Sequence, residues 1–286
     1  MLLLAALALA LPLSAQNDPD FLAGKAALQK GDADKAAALI EKAIAKNPNV
    51  AEYHLFLADA YGRQARGGGM FKQASLGKKA KGELDRAVAL DPNSSDARMG
   101  LIQFYLAAPG IMGGSEAKAI EQAAEIRKRD PYMGHAAYAR IYNYQKKPDL
   151  ARNEWLTAVK EQPTSARAHN ALAGFYTGVD KNYPAAWAEV ETALKLDPNY
   201  MPAVLRVGVI AANSGTNLAR GEEALKRYLA YQPKEHEPSH IDANYWLGMI
   251  YEKSGRVADA RASYGAALKL APESKQIQEA LKRVGG

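Results

Sequence analysis

The string His236-Glu237-Pro238-Ser239-His240 is where residue types and spacing first suggest chemistry in this 286-residue chain. Two histidines four apart on a helix stand one turn apart and can hold zinc, with the glutamate between them acting as base on a metal-bound water. Pro238 sits inside that turn, and its ring and missing N–H remove the geometry that would align the pair. The segment reads as an extended linker after Pro233, with Pro238 at a helix start, where proline is welcome. No third ligand accompanies the pair, so the reading assigns no metal. His54, His135 and His169 are singletons on the first helices of their units and read as surface or groove residues rather than ligands.

Other catalytic chemistries also lack their residues. There is no cysteine, which excludes disulfides, thiolate catalysis and cysteine-based zinc sites. The glycine-rich stretch ending in Leu76-Gly77-Lys78-Lys79 lacks the hydroxyl and spacing of a phosphate loop, and no strand precedes it. No Ser-His-Asp arrangement can be singled out. Asp32 and Asp34 lie in a turn and read as helix-start residues favoured by the dipole. The expectation is a non-enzyme with no catalytic residue and no cofactor.

The net charge of +6 has one source. Between Gly62 and Gly82 lie Arg63, Arg66, Lys72, Lys78, Lys79 and Lys81 with no acid, so the rest of the chain is balanced. A nucleic-acid binder spreads basic charge along a face with aromatics for stacking. This single run reads as a solvated loop or helix face, with no nucleic-acid partner.

The elements that carry these residues are helical. Apolar residues make up 48% of the chain, and alanine dominates while Phe, Ile and Val are sparse. That composition favours closely packed helices over strands. Met1 to Leu13 is an almost unbroken Leu/Ala run, too short to span a bilayer, followed by Ser14-Ala15-Gln16. It predicts a secretory signal peptide over 1–15, cut after Ala15, although no Lys or Arg precedes the apolar run. Nothing later reaches membrane-spanning length. The expected location is periplasmic or secreted.

Beyond the leader, helix-ending prolines recur at Pro48, Pro92, Pro131, Pro163, Pro198, Pro233 and Pro272, 32 to 44 residues apart. An alanine lies five residues before most of them (Ala43, Ala87, Ala158, Ala193, Ala267). A small residue tends to lie twelve before (Ala36, Ala80, Ala119, Ala151, Ala186, Ala260). The clearest unit runs from Ile241 to Pro272, with Leu247, Gly248, Tyr251, Ala260, Tyr264 and Ala267 in register. From these residues the chain resembles the tetratricopeptide repeat (TPR) superfamily over about Asp18 to the C-terminus.

The resemblance implies an all-α, right-handed superhelical solenoid of about seven TPR-like helix pairs plus a C-terminal capping helix. Small residues let paired helices approach closely, and no pair can bury its apolar faces without neighbours. The expected units are near 18–50, 51–94, 95–133, 134–165, 166–200, 201–235 and 241–273, with the cap at 274–284. All belong to a single solenoid domain over 16–286.

In TPR arrays the first helix of each pair lines the concave face, where partners bind. Carried onto this chain, the inner positions are Met99 and Gln103, then His135, Tyr138, Tyr142 and Gln145, then Arg167, Asn170 and Thr177, and finally Tyr245 and Met249. Tyr138 or Tyr142 packing between units is the competing reading. The Lys/Asn/Arg clamp that chaperone-binding TPR domains use for a C-terminal carboxylate is not matched, because Leu55, Asp59 and Met99 stand there.

Two Gly-rich loops, at 66–72 and 109–114, interrupt the second and third units between their paired helices. They are expected to be neighbours and carry Met70, Phe71, Ile111 and Met112. They form a binding lip, or their apolar residues tuck together and seal them. The pair is similar to loops of a group of bacterial exported TPR proteins, which implies no activity. The function read from all this is a periplasmic scaffold that binds a peptide or partner protein of the cell envelope in its groove. The alternative is a small-ligand-binding or chaperone-like envelope protein using the Gly-rich loops.

Overall fold

The computed structural model describes residues 18–66, 68–234 and 237–285. The apolar leader with its cleavage site, and His236, lie outside the described residues.

Among the described residues fifteen α-helices follow one another: α1 (Pro19–Gln29), α2 (Ala33–Lys46), α3 (Ala51–Arg66), α4 (Met70–Leu90), α5 (Ser95–Ala107), α6 (Glu116–Arg129), α7 (Pro131–Tyr144), α8 (Pro148–Glu161), α9 (Ala166–Phe175), α10 (Tyr183–Leu196), α11 (Met201–Ser214), α12 (Leu218–Leu229), α13 (His240–Lys253), α14 (Val257–Leu270) and α15 (Lys275–Arg283). A 3-10 turn spans Gly110–Met112 and a π-helical turn Tyr176–Asp180. No strand occurs among the described residues. The first fourteen helices pack as seven successive pairs and α15 packs on α14, which is the expected all-α repeat fold.

The helices form two compact units, one ending at Arg129 and the other running from Asp130. In the first, Gly24 of α1 faces Ile40 of α2, and Phe21 packs its ring 4.6 Å from Tyr53. In the second, Gly208 of α11 admits Leu225 of α12, and Gly248 of α13 admits the Tyr264 ring. A Cβ on either glycine would stand 2.2 or 2.5 Å from that neighbour, so glycine sets how closely each pair approaches.

The proline register accounts for burial even where the alanine rule lapses. Ile126 and Tyr228 take the place five residues before Pro131 and Pro233, and Gly221 the place twelve before Pro233; all three are buried like the alanines. The period marks a position in the pair, and residue size adapts to it.

Local chemistry sets the helix starts. Asp18, Asp32, Ser94, Asp130, Ser165 and Asn182 each accept a backbone N–H from the first turn that follows. Pro131 is a correction: it opens α7 behind the Asp130 cap instead of closing the helix before it, so the fourth unit begins three residues earlier than expected. Pro238 lies just ahead of the helix it was expected to open. Ser239 caps α13 in a reciprocal box with Asp242, and His240 is the first helical residue.

The stretch expected as a 66–72 loop is another correction. α3 runs to Arg66 and α4 begins at Met70, so Met70 and Phe71 form the first turn of a 21-residue helix. Its Lys, Ala, Leu and Met are strong helix formers, and the extra residues lengthen the helix instead of a loop.

Candidate functional site

In the second unit the first helices of successive pairs meet directly, α9 against α11 and α11 against α13. Arg206 projects from α11 onto α9, where a Cβ on Gly174 would be 3.0 Å from its Cζ and from one terminal nitrogen. Its Nε points to the Asn170 side-chain oxygen at 3.5 Å, a long contact. Two helical residues before Gly208, Arg206 is the one charged side chain in α11, which is apolar on either side of it from Met201 to Ala212.

Arg167, at the start of α9, stacks its guanidinium 4.1 Å from the centre of the Tyr132 ring and reaches the Met133 sulfur. Tyr132 stands at the start of α7 and Tyr200 just ahead of α11, so three consecutive repeats contribute. Burial pushes both hydroxyls above the ordinary tyrosine range, and Arg167 pulls both back. Glu237 pushes the Tyr200 hydroxyl further up, and Arg206 and the Asn170 side chain pull it back. Burial lowers the pKa of Arg206, and the charges it senses are the two tyrosines. Neither arginine has a carboxylate partner among the described residues. The two cations, two phenols and one amide share this stretch of α7, α9 and α11, an arrangement whose donors can bind an anionic group. An uncompensated, half-buried cation is costly, and an incoming anion relieves that cost.

The expected inner positions divide. Arg167 is exposed and Asn170 buried, and both belong to this cluster. His135 is corrected: it is only 4% exposed, held by Glu154 at 2.7 Å and Glu161 at 3.1 Å, both on α8. His54 and His169 do the same work, each with one ring nitrogen on a glutamate of the second helix (Glu83, Glu189). The other nitrogen faces the carbonyl of the proline six residues back (Pro48, Pro163). Arg98 and Gln278 reach the equivalent carbonyls of Pro92 and Pro272. His54, Arg98 and His169 tie a first helix to the preceding turn and to its partner helix, His135 ties α7 to α8, and Gln278 ties α15 to the preceding turn; they are not groove residues.

Thr177 is buried and donates to the Ala173 carbonyl. Tyr142 packs on the small core of Ala139, Ala151 and Phe175, so the packing alternative describes it, and the Tyr138 ring sits 6.2 Å from it. Tyr245 lies half-buried against Trp246 and Tyr264, with Met249 packed on the same core. In the first unit Met99 is half-buried on α5 and Gln103 exposed. His240 meets the Tyr231 carbonyl through Nε2, and Glu237 accepts from Tyr231 and from the Lys234 backbone.

Sequence reasoning missed Arg206, Tyr132 and Tyr200. The available signal was a lone arginine within Met201-Pro-Ala-Val-Leu-Arg-Val-Gly-Val-Ile, where every neighbour is apolar.

At the loop edge the sealed alternative fails. Phe71 is 92% and Ile111 99% exposed, with Met70 and Met112 also exposed.

The profile of the tetratricopeptide repeat family matches residues 21–66, 137–201 and 210–275. No curated protein matches the chain in sequence. Among solved structures it is similar to a tetratricopeptide repeat protein from Parabacteroides merdae at 14% identity and TM-score 0.54, covering 93% of this chain and 98% of that one. It is similar to human IFIT1, solved as a dimer with m7Gppp-AAAA, at 20% identity and TM-score 0.58, covering 93% and 61%. A chain of the APC/C hetero-tetramer Cut9–Hcn1 matches at 13% identity and TM-score 0.53 over 94% of this chain, which spans only 49% of that one. At these identities the likeness is one of fold.

Proposed function

Since the chain belongs to the tetratricopeptide repeat family, we propose that it is an exported interaction scaffold. Its protein partner docks along the first-helix face of the second unit and presents an anionic group to Arg167 and Arg206. The observation that carries this reading is a pair of arginines on adjacent repeats, each against aromatic or amide groups and neither ion-paired to a carboxylate among the described residues. Tyr132 and Tyr200 supply aromatic surface, the residue type that with arginine most often anchors interfaces. One structural neighbour is itself part of a hetero-tetramer. The partner belongs to the cell envelope, and the role requires no catalytic step.

The test is crosslinking and affinity capture from the native envelope fraction, with an Arg167→Ala/Arg206→Ala variant whose helicity matches the parent. Loss of a captured partner in the variant, together with weakening of the parent complex as salt rises, supports the reading. Equal capture by both chains removes the face from consideration. Export is tested separately: the protein recovered from the periplasm should begin at Gln16.

A further inference from the structure

The first unit carries a second surface, at the edge where α4 begins and α5 gives way to α6. Its apolar tips are held out by a rigid frame. The turn after α5 is closed by the Met112 and Gly114 N–H groups on the Pro109 carbonyl (2.8 and 3.1 Å), Gly113 on Gly110 (3.0 Å) and Ser115 on Tyr105 (2.9 Å). Gly113 takes φ +96°, and a Cβ on Gly114 would stand 1.8 Å from the Ala108 carbonyl oxygen, so only glycine fits there. The Phe104 ring joins this turn to α4, lying 3.7 Å from where a Gly113 Cβ would be and 3.9 Å from one on Gly77. Phe71 lies six residues before Gly77, about 9 Å along the same helix.

A turn this constrained holds Ile111 almost wholly in water, and the first turn of α4 leaves Phe71 nearly as exposed. The helices that begin at this edge, α4 and α6, carry cations. Lys72, Lys78 and Lys118 are exposed and meet no carboxylate among the described residues. Lys81 and Lys118 flank the Tyr105 ring at 5.7 and 5.9 Å, and Lys79 stands over Tyr61. Asp85 is taken by Lys81.

We propose that this edge docks on an anionic lipid surface, with Phe71 and Ile111 entering the headgroup boundary and Lys72, Lys78 and Lys118 facing the lipid phosphates. A protein partner must supply a shaped pocket for each protruding side chain, whereas a bilayer boundary accepts isolated apolar tips anywhere. The basic collar is complementary to its negative surface. The surface lies wholly within the first unit, so the proposal stands independently of the partner face on the second.

The test is vesicle co-sedimentation of the chain beginning at Gln16, so that the apolar Met1–Leu13 run contributes nothing. Binding is expected to phosphatidylglycerol-containing vesicles and not to phosphatidylcholine alone. Phe71→Ser/Ile111→Ser and Lys72→Glu/Lys78→Glu should each lower partitioning by about tenfold or more, with unchanged circular dichroism. A Phe71→Trp variant should gain blue-shifted emission on anionic vesicles relative to the parent. Failure to bind anionic vesicles overturns the proposal. So does loss in the lysine variant with full retention in the Ser/Ser variant, which would mean simple charge adsorption.

Discussion

The Arg206 guanidinium rests against Gly174 across the α9–α11 contact, with Cζ 3.0 Å from where a Cβ would be. A missing side chain on one repeat thus makes room for a cation from the next. The close atom belongs to the far end of a flexible side chain, so Gly174→Ala should move Arg206 with little strain. Expected stability stays within about 0.5–1 kcal/mol of the parent, helped by alanine's helix preference, while partner affinity falls. Paired thermal melts and binding isotherms check this; a stability loss with unchanged affinity would contradict it.

Gly208 offers the contrasting case. A Cβ there would lie 2.2 Å from Leu225 Cγ, inside a fully buried core. Gly208→Ala should therefore destabilise by about 1–3 kcal/mol through overpacking, despite the better helix former. Denaturant unfolding of the parent and variant measures the difference.

Replacing His135 tests whether that residue is structural. His135→Ala removes the 2.7 Å contact to the largely buried Glu154 carboxylate and should cost about 1–3 kcal/mol. Partner affinity of the folded fraction should not change. A large affinity loss at parent-like stability would return the histidine to the groove.

The carboxylate of Glu252 accepts from Arg283 on α15 and from the Tyr264 hydroxyl, and the Arg283 bond in particular holds its pKa below the ordinary 4.5. A depressed folded value stabilises the fold above the unfolded pKa and loses that contribution as pH falls through the folded one. The melting temperature should drop on acidification below about pH 4.5. That slope should be shallower in Glu252→Gln, which has no charge to lose. Melting curves across the acid range read it directly.

The sequence determined the repeat. Period, small residues and caps are local or near-local signals, so the small residues at fixed distances before the prolines were legible, and the resemblance they carry implied the helix pairs and the capping helix. Lengths of irregular segments were less legible: the glycines at 67–69 suggested a long loop, while Lys72 to Lys81 continue as helix because their Lys, Ala, Leu and Gln outweigh the single Gly77.

What only the tertiary structure decided is which side chains meet across repeats. Arg167 and Arg206 lie 39 positions apart, and Tyr132 and Tyr200 farther still, at separations set by how α7, α9 and α11 stack. His135 illustrates the same limit. Its position on a first helix is evident from periodicity, but whether it faces a groove or a glutamate pair depends on what α8 places opposite it. Helical periodicity fixes the direction in which a side chain leaves its own helix; the neighbouring helix fixes what it meets.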